Sequence, residues 1–339
     1  MNKLFNVAVV GATGLVGRTM VRVLEERNFP VEKLFLYSSE KSAGEKINYK
    51  NKEITVQKLD EESFKNVDIA LFSAGKDVSI KFAPIAVKNN CIVIDNGSYW
   101  RMHKDVPLIV PEVNPESASE HHGIIANPNC STIQLVVALN PIQRVFGLKR
   151  IVISTYQSIS GAGQKGVNKL FKELEDPLAP VDYKHKFAFN TVFHEFTDDS
   201  GFSVEETKMK DETRKIFGLP DLKIAVTCVR LPIFGGHGES VNFETLNKFS
   251  IPELKETLSE QAGTEILDDP LNEIYPTPII ADDTDLVYIG RIRKDDSVEN
   301  GGYLWIVSDN RRKGAATNAV QIAELLIKKE TLSFKAFEF

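Results

Sequence analysis

Two hydrophobic periods alternate through the first third of the chain. Residues 6–10 form a short apolar run, and the glycine-rich stretch Gly11–Gly17 follows it. From residue 15 to 26, Leu15, Val16, Met20, Val23 and Leu24 recur at helical spacing. Further strands are predicted over 33–37, 54–59, 68–72, 91–95, 108–110 and 123–126, with a helix over 77–88. Strand–helix alternation with uniformly apolar strands predicts an α/β fold, a Rossmann-type doubly wound parallel sheet. After about residue 130 the pattern changes. Helices are predicted over 131–146 (stopped by Gly147), 165–174 and 251–261, and a strongly apolar one over 314–329. Strands are predicted over 149–159, 223–231, 240–246, 285–293 and 303–308. Residues 176–200, rich in Asp, Pro, Phe and His, lack periodicity and read as a long loop. This half predicts an α+β domain with a mostly antiparallel sheet.

The 339 residues fit two domains, at roughly 100–200 residues each. A hydrophobic share of 42% against 26% charged excludes disorder as the main state. The net charge of -6 argues against a nucleic-acid partner. No apolar run approaches the ~20 residues that span a bilayer, so no membrane role is expected. The first apolar run leads straight into the glycine turn with no cleavage site, so it reads as a strand and not a signal peptide. Three cysteines, Cys91, Cys130 and Cys228, offer no disulfide framework and no metal-ligand spacing, so no metal is expected and a reducing cytoplasm is the natural compartment.

The turn Gly11-Ala12-Thr13-Gly14-Leu15-Val16-Gly17 sits between a strand and a helix. Glycines there let backbone approach a pyrophosphate, whose charge faces the helix N-terminus. Gly11, Thr13, Gly14, Leu15 and Val16 are therefore candidate cofactor contacts, together with Gly75 after the 68–72 strand. The spacing is GxxGxxG, not the usual GxGxxG. An NAD-binding second strand should end in a carboxylate for the ribose hydroxyls. Here it ends in Ser38 and Ser39 with Lys41 nearby, a set that accepts a 2′-phosphate, so NADP is predicted. Glu40 is the counter-indication, because a two-residue shift would restore an acid.

Cys130 lies in Asn-Pro-Asn-Cys-Ser-Thr, between a strand and a helix. A helix N-terminus stabilises a thiolate by about 0.3–1 kcal/mol, more when partly buried. Cys91 and Cys228 sit inside apolar strands and read as core residues. A thiolate in a nicotinamide enzyme adds to an aldehyde, and loss of hydride leaves a thioester. Of six histidines, His121 and His122 read as solvated surface, while His103, His185 and His194 lack organised context. His237, between two predicted strands and flanked by glycines in Arg230-Leu-Pro-Ile-Phe-Gly-Gly-His237-Gly-Glu239, is either the base or part of a hairpin loop.

These motifs resemble aspartate-β-semialdehyde dehydrogenase over nearly the whole chain. The most specific are NPNCST, the strand ending in Gln157-Ser-Ile-Ser160-Gly161-Ala-Gly, the segment Glu205-Glu206-Thr-Lys208, and RLPIFGGHGE. The resemblance implies that Cys130 is the thioester nucleophile, His237 the acid–base group and Gln157 the amide that orients substrate. It makes Arg230 the partner of the substrate α-carboxylate and Glu205 that of the ammonium, with adjacent Glu206 the alternative. Arg101 and Lys208 would form the phosphate site. Asn129, Ser160, Gly161 and Asn310 would line the cofactor. The implied organisation is an NADP-binding domain over 1–129, completed by the helix 314–330, and a catalytic and dimerisation domain over 130–313. The implied reaction interconverts aspartate semialdehyde, phosphate and NADP with 4-phospho-L-aspartate and NADPH, on the route to lysine (through diaminopimelate), threonine, methionine and isoleucine. A homodimer or homotetramer is implied, with the 149–159 strand at its interface. The alternatives are N-acetyl-γ-glutamyl-phosphate reductase, whose cysteine motif should read NPGCYPT-like; a glyceraldehyde-phosphate dehydrogenase, whose cofactor strand should end in an acid; and a non-catalytic NADP-binding protein of the same fold.

Overall fold

The structure is a computed structural model in which residues 3–176 and 185–334 are described. It divides into two compact units, Met1–Asn129 with Ala315–Phe339, and Cys130–Gly314.

In the first unit, β1 (Phe5–Val10) leads through the glycine turn into α1 (Leu15–Glu26), and β2 (Val31–Ser38) follows. A small hairpin, β3 (Lys46–Tyr49) and β4 (Lys52–Thr55), precedes the two-residue β5 (Gln57–Lys58). Then come β6 (Ile69–Phe72), α2 (Lys76–Lys88), β7 (Ile92–Asp95) and β8 (Ile124–Ala126). The sheet order is β5-β2-β1-β6-β7-β8, all parallel. The order reverses between β1 and β6, so the β1–α1 and β6–α2 turns leave the same edge side by side. Phe5, Val7, Val9, Ile69, Leu71 and Ile94 fill the core. The C-terminal helix Thr317–Lys328 returns to this unit and adds Ala319, Val320, Ile322 and Leu326. Arg27 at the end of α1 grips Glu324 with two parallel hydrogen bonds of 2.9 and 2.7 Å.

Two sequence expectations need correction here. Residues 108–110 are not a strand, only a bridge from Leu108 to Ala126. The Val110 amide donates to the Asn114 side chain, and the Asn114 amide returns to the Val110 carbonyl, which turns the chain away. The expected 54–59 strand is split between β4 and β5, which lie in different sheets.

The second unit begins with α3 (Cys130–Phe146), nearly every residue of which is buried. Then follow β9 (Leu148–Gln157), α4 (Gly163–Glu175), β10 (Val192–Phe193), α5 (Val204–Phe217), β11 (Lys223–Arg230), β12 (His237–Thr245), α6 (Ile251–Ser259), β13 (Thr264–Ile266), β14 (Val287–Asp295) and β15 (Gly301–Ser308). The seven-stranded sheet runs β10-β11-β9-β12-β15-β14-β13. Four of its pairings are antiparallel, and β11–β9 and β13–β14 are parallel. Along β9 the alternation is plain: Ile151, Ile153, Thr155 and Gln157 are buried, while Val152, Ser154 and Tyr156 are more accessible.

The helix α5 was not anticipated, because few apolar residues mark its face. Its signature is electrostatic. Ser203 and Glu206 form a reciprocal capping box, acids occupy the first turn and bases the last, and Gly218 closes it at φ +64°. His237 was expected between strands; it is the first residue of β12, paired with Ser308. Part of the long loop, residues 177–184 with Pro177, Pro180 and Asp182, lies outside the described residues. The remainder holds β10.

Candidate active site

The glycine turn is built for close approach. Gly11 adopts φ +85°, and a Cβ there would lie 2.4 Å from the Ser73 carbonyl of the neighbouring turn. A Cβ on Gly17 would lie 2.1 Å from the Gly11 carbonyl. Gly11 and Ala12 both donate their amides to the Tyr37 carbonyl, which ties the turn to β2. Gly14 caps α1 with no side-chain hydrogen bond, and no acid occupies the first turn. The first amides of α1 therefore have no partner within the helix. Gly14 is exposed, and Thr13, Leu15 and Val16 are partly exposed around them. Gly75, at φ +87°, begins α2 with open space where a side chain would be. This cradle fits the pyrophosphate of a dinucleotide.

At the end of β2, Ser38 is buried and donates to the Ser39 carbonyl, while Ser39 and Lys41 are exposed. Glu40 is engaged by Lys58 at 3.0 Å. Arg101 also belongs to this unit, buried, with Nη2 donating to the Asn96 carbonyl at 2.8 Å. Asn129, buried, is the last residue before the second unit.

The second unit gathers the other predicted residues. Cys130 is the first residue of α3 and is half-buried, so its sulfur sits where the helix dipole favours a thiolate. Gln134, one turn further on the same face, donates its amide to the His237 carbonyl at 3.2 Å. His237 is fully buried. The Ser158 amide donates to its Nδ1 at 3.0 Å, which assigns the ring proton to Nε2. Nε2 has no hydrogen-bond partner among the described residues. Burial, then the Arg230 charge, push the imidazole down to about 3, so it is neutral at physiological pH.

Arg230 ends β11 and donates from Nη1 to the Ser158 carbonyl at 2.6 Å. Its Nη2 faces Nδ1 of His194 at 3.3 Å. Gly161 leaves room for both groups: a Cβ there would meet Arg230 Nη1 at 3.1 Å and His237 Nε2 at 3.4 Å. Gln157 donates to Glu205 at 3.3 Å, and Lys208 pairs with the other Glu205 oxygen at 3.2 Å. Glu206 is committed elsewhere, accepting from the Ser203 amide at 2.7 Å and the Cys228 amide at 3.0 Å. Asn310 is a hub whose Oδ1 accepts from Ser158, Ser160 and the Gly236 amide.

Sequence reasoning missed Ser158, His194, Gln134 and Glu239. Ser158 was visible only as part of a motif; its main chain does the work. Glu239 is fully buried beside Gln134, and burial drives its carboxyl well above the usual range. Its neighbour in register, Thr155, is also buried. His121 departs from the expected solvated surface: it is buried, with Nε2 against the Thr331 carbonyl at 2.8 Å. Cys91 and Cys228 are buried, as expected of core residues. Among the described residues no His, Cys, Asp and Glu cluster could hold a metal, and no helix is long and apolar enough to cross a membrane.

A glycine-rich cradle that fits a dinucleotide and a half-buried cysteine at a helix N-terminus are both the equipment of one class, the cysteine-dependent aldehyde dehydrogenases of nicotinamide chemistry, and this chain falls in it. Comparison with known proteins narrows the class. Residues 6–121 match the semialdehyde dehydrogenase NAD-binding domain and residues 139–313 the semialdehyde dehydrogenase dimerisation domain. The chain is 52% identical over 336 residues to the aspartate-semialdehyde dehydrogenase of Aquifex aeolicus, covering 96% of this chain and 98% of that one. It is 50% identical to that of Bacillus subtilis, covering 97% and 99%. The crystal structure of Vibrio cholerae aspartate semialdehyde dehydrogenase II complexed with ASA superposes with a TM-score of 0.92 at 45% identity, covering 96% and 99%. The chain belongs to the aspartate-semialdehyde dehydrogenase family.

Proposed function

We propose that this chain carries out the reversible, NADP-dependent, phosphorylating oxidation of L-aspartate 4-semialdehyde, running in biosynthesis as reduction of 4-phospho-L-aspartate. The observation that carries this reading is the set Cys130, His237, Arg230, Gln157 and Glu205 within one unit, in a chain 52% identical to a named aspartate-semialdehyde dehydrogenase.

In the reductive direction, the Cys130 thiolate forms a bond to the acyl carbon as the carbon–oxygen bond to phosphate breaks, leaving a thioester. When bound, the reduced nicotinamide supplies the hydride that takes this carbonyl to the aldehyde level. The oxygen that gains charge takes a hydrogen bond from the neutral His237 Nε2–H. The carbon–sulfur bond then breaks, and the electron pair returns to sulfur. In the oxidative direction a thiolate, not a thiol, attacks, so the adduct oxygen is already anionic and no proton has to be removed. His237 thus acts as a donor; the base role would need a proton on Nδ1, opposed by the Ser158 amide. Arg230 offers a fork to the α-carboxylate. Glu205 meets the ammonium, since Glu206 is consumed by the α5 cap. Lys208 is assigned cationic charge for phosphate, and so, in the first unit, is Arg101.

In the first unit the cofactor residues are those of the cradle, and in the second Ser160, Gly161 and Asn310 are assigned to the cofactor. NADP is favoured by Ser38, Ser39 and Lys41 at the end of β2, where the exposed Glu40 carboxylate is met by Lys58 at 3.0 Å. The dimerisation-domain match supports an oligomer. We assign a homodimer, alone or paired into a tetramer, to the accessible sheet face that carries Val152, Ser154 and Tyr156 of β9 and Tyr303 and Trp305 of β15. A cytoplasmic location follows from the biosynthetic role and three unpaired cysteines.

The test is a substrate panel with NADP or NAD, with and without phosphate, on aspartate semialdehyde and N-acetylglutamate semialdehyde. Phosphate-dependent NADPH formation from the first aldehyde, abolished in Cys130→Ser, is expected. Equal rates on both aldehydes remove the substrate assignment, and faster turnover with NAD removes the NADP assignment.

A further inference from the structure

The long segment before α5 has no role in the chemistry above, yet it delivers one side chain to the site. Its two-residue strand β10 pairs antiparallel with the end of β11, Val192 against Arg230 and Phe193 against Val229. His194 follows at once, and this pairing places its Nδ1 3.3 Å from Arg230 Nη2. A guanidinium has only donors, so Nδ1 is the acceptor and the His194 proton lies on Nε2. Arg230 is thus held at two points, by the Ser158 carbonyl on Nη1 at 2.6 Å and by His194 on Nη2.

We propose that His194 is a positioning residue for substrate specificity: as an uncharged acceptor it fixes the rotation of the Arg230 guanidinium, so that the remaining donors face the substrate α-carboxylate. This rests on the reading of Arg230 as the carboxylate's partner. The residue type matters. An aspartate or glutamate at this position would neutralise Arg230 and compete with the substrate's own carboxylate. A lysine would repel it. A neutral imidazole orients the fork and leaves its charge for the ligand. The surroundings keep the ring neutral: burial first, then the Arg230 charge and that of Lys208, against the opposing pull of Glu205 and Glu206, hold His194 down to about 4.

The experiment is steady-state kinetics on the full-length enzyme with aspartate semialdehyde, for His194→Ala, His194→Gln, His194→Asp, Arg230→Ala and the double variant His194→Ala/Arg230→Ala. One hydrogen bond to a charged group is worth about a tenfold effect. His194→Ala should raise KM about tenfold with kcat within about twofold. His194→Gln, which keeps a neutral acceptor, should recover most of the loss, and His194→Asp should be worse than alanine. The double variant should match Arg230→Ala alone, because the histidine acts only through the arginine. Below about pH 5 the wild-type KM should climb while that of His194→Gln does not. An unchanged KM in Arg230→Ala would overturn the carboxylate reading itself. A large KM rise in Arg230→Ala with none in His194→Ala overturns the present inference and leaves that reading standing. Equal loss in the alanine and glutamine variants, or a fall in kcat in place of the KM rise, also overturns it.

Discussion

Acid should unfold the second unit earlier than its carboxylates require, because a neutral imidazole is locked inside it. His237 is fully buried, and burial with the nearby Arg230 charge brings it from an ordinary 6.5 down to about 3. The unfolded chain takes up a proton on this ring as pH falls through about 6.5; the folded chain takes it up only near 3. The unfolded state therefore binds more protons throughout that window, and stability falls with falling pH. The contribution is complete above pH 6.5. Each unit of separation is worth about 1.4 kcal/mol, so this ring alone removes about 2 kcal/mol by pH 5 and about 4 kcal/mol by pH 3. His194, brought down to about 4, acts in the same direction, and the two rings also disfavour each other's protonation. The assay is urea unfolding between pH 7.5 and 5.0 for wild type and His237→Gln, which keeps an acceptor for the Ser158 amide but cannot titrate. Trp305 lies in the second unit and Trp100 in the first, so a Trp100→Phe background lets fluorescence follow the second unit alone. Wild type should lose about 2 kcal/mol more than the glutamine variant over this range. Parallel pH curves would refute the assignment of a neutral, buried His237.

Three further outcomes follow from the geometry. Gly161→Ala puts a methyl group 3.1 Å from Arg230 Nη1 and 3.4 Å from His237 Nε2, so kcat/KM should fall by about 10²-fold with little change in Tm, as read by kinetics and thermal unfolding. Glu239→Gln should stabilise the protein at pH 8 and not at pH 4: above 4.5 the unfolded chain ionises while the buried carboxyl keeps its proton, so wild type loses up to about 1.4 kcal/mol per pH unit that the amide does not, measurable by urea unfolding at both pH values. Gly17→Ala drives a methyl group against the Gly11 carbonyl, and with backbone on the far side the turn has to open; unfolding should show about 2–3 kcal/mol of destabilisation, and NADPH fluorescence titration should show lost binding.

What the sequence displayed is what local chemistry writes into it. Apolar runs such as those at β1 and β6 had to be strands buried on both faces, and Gly11–Gly17 had to be a turn of close approach. Cys130 was legible because its flanking polar residues and the apolar helix after it give away a helix N-terminus. The Glu205–Glu206 ambiguity could be resolved only in three dimensions: both carboxylates are buried, and only the hydrogen bonds show that one caps a helix while the other faces Gln157 and Lys208. The signal for that helix, Ser203 three residues before Glu206 and Gly218 at its end, was present but lay outside any hydrophobic period. His194 was illegible because its significance comes from a two-residue strand pairing across 36 positions of chain. His121 was misread because its polar neighbours say nothing of the Thr331 carbonyl, which the C-terminal segment brings from 210 positions away.

The hydrogen bonds of the second unit also explain how one backbone position can serve both binding and chemistry. The Ser158 peptide donates its N–H to His237 and offers its C=O to Arg230, so the proton-bearing nitrogen of one and the fork of the other are set from a single residue. Main-chain groups keep their place when side chains vary, which suits two groups whose relation to each other decides where a carbonyl oxygen and a carboxylate lie. The charges in the same cluster are arranged on a different principle. Orientation falls to neutral partners: Gln134, Ser158, Asn310 and His194. Formal charge is concentrated on Arg230, Glu205 and Lys208, the residues assigned to a substrate that is itself a carboxylate, an ammonium and, as the acyl phosphate, a phosphate; Glu205 and Lys208 pair with each other at 3.2 Å. The Glu205–Lys208 pair is a contact that a substrate ammonium and a phosphate can take over, each meeting the opposite charge.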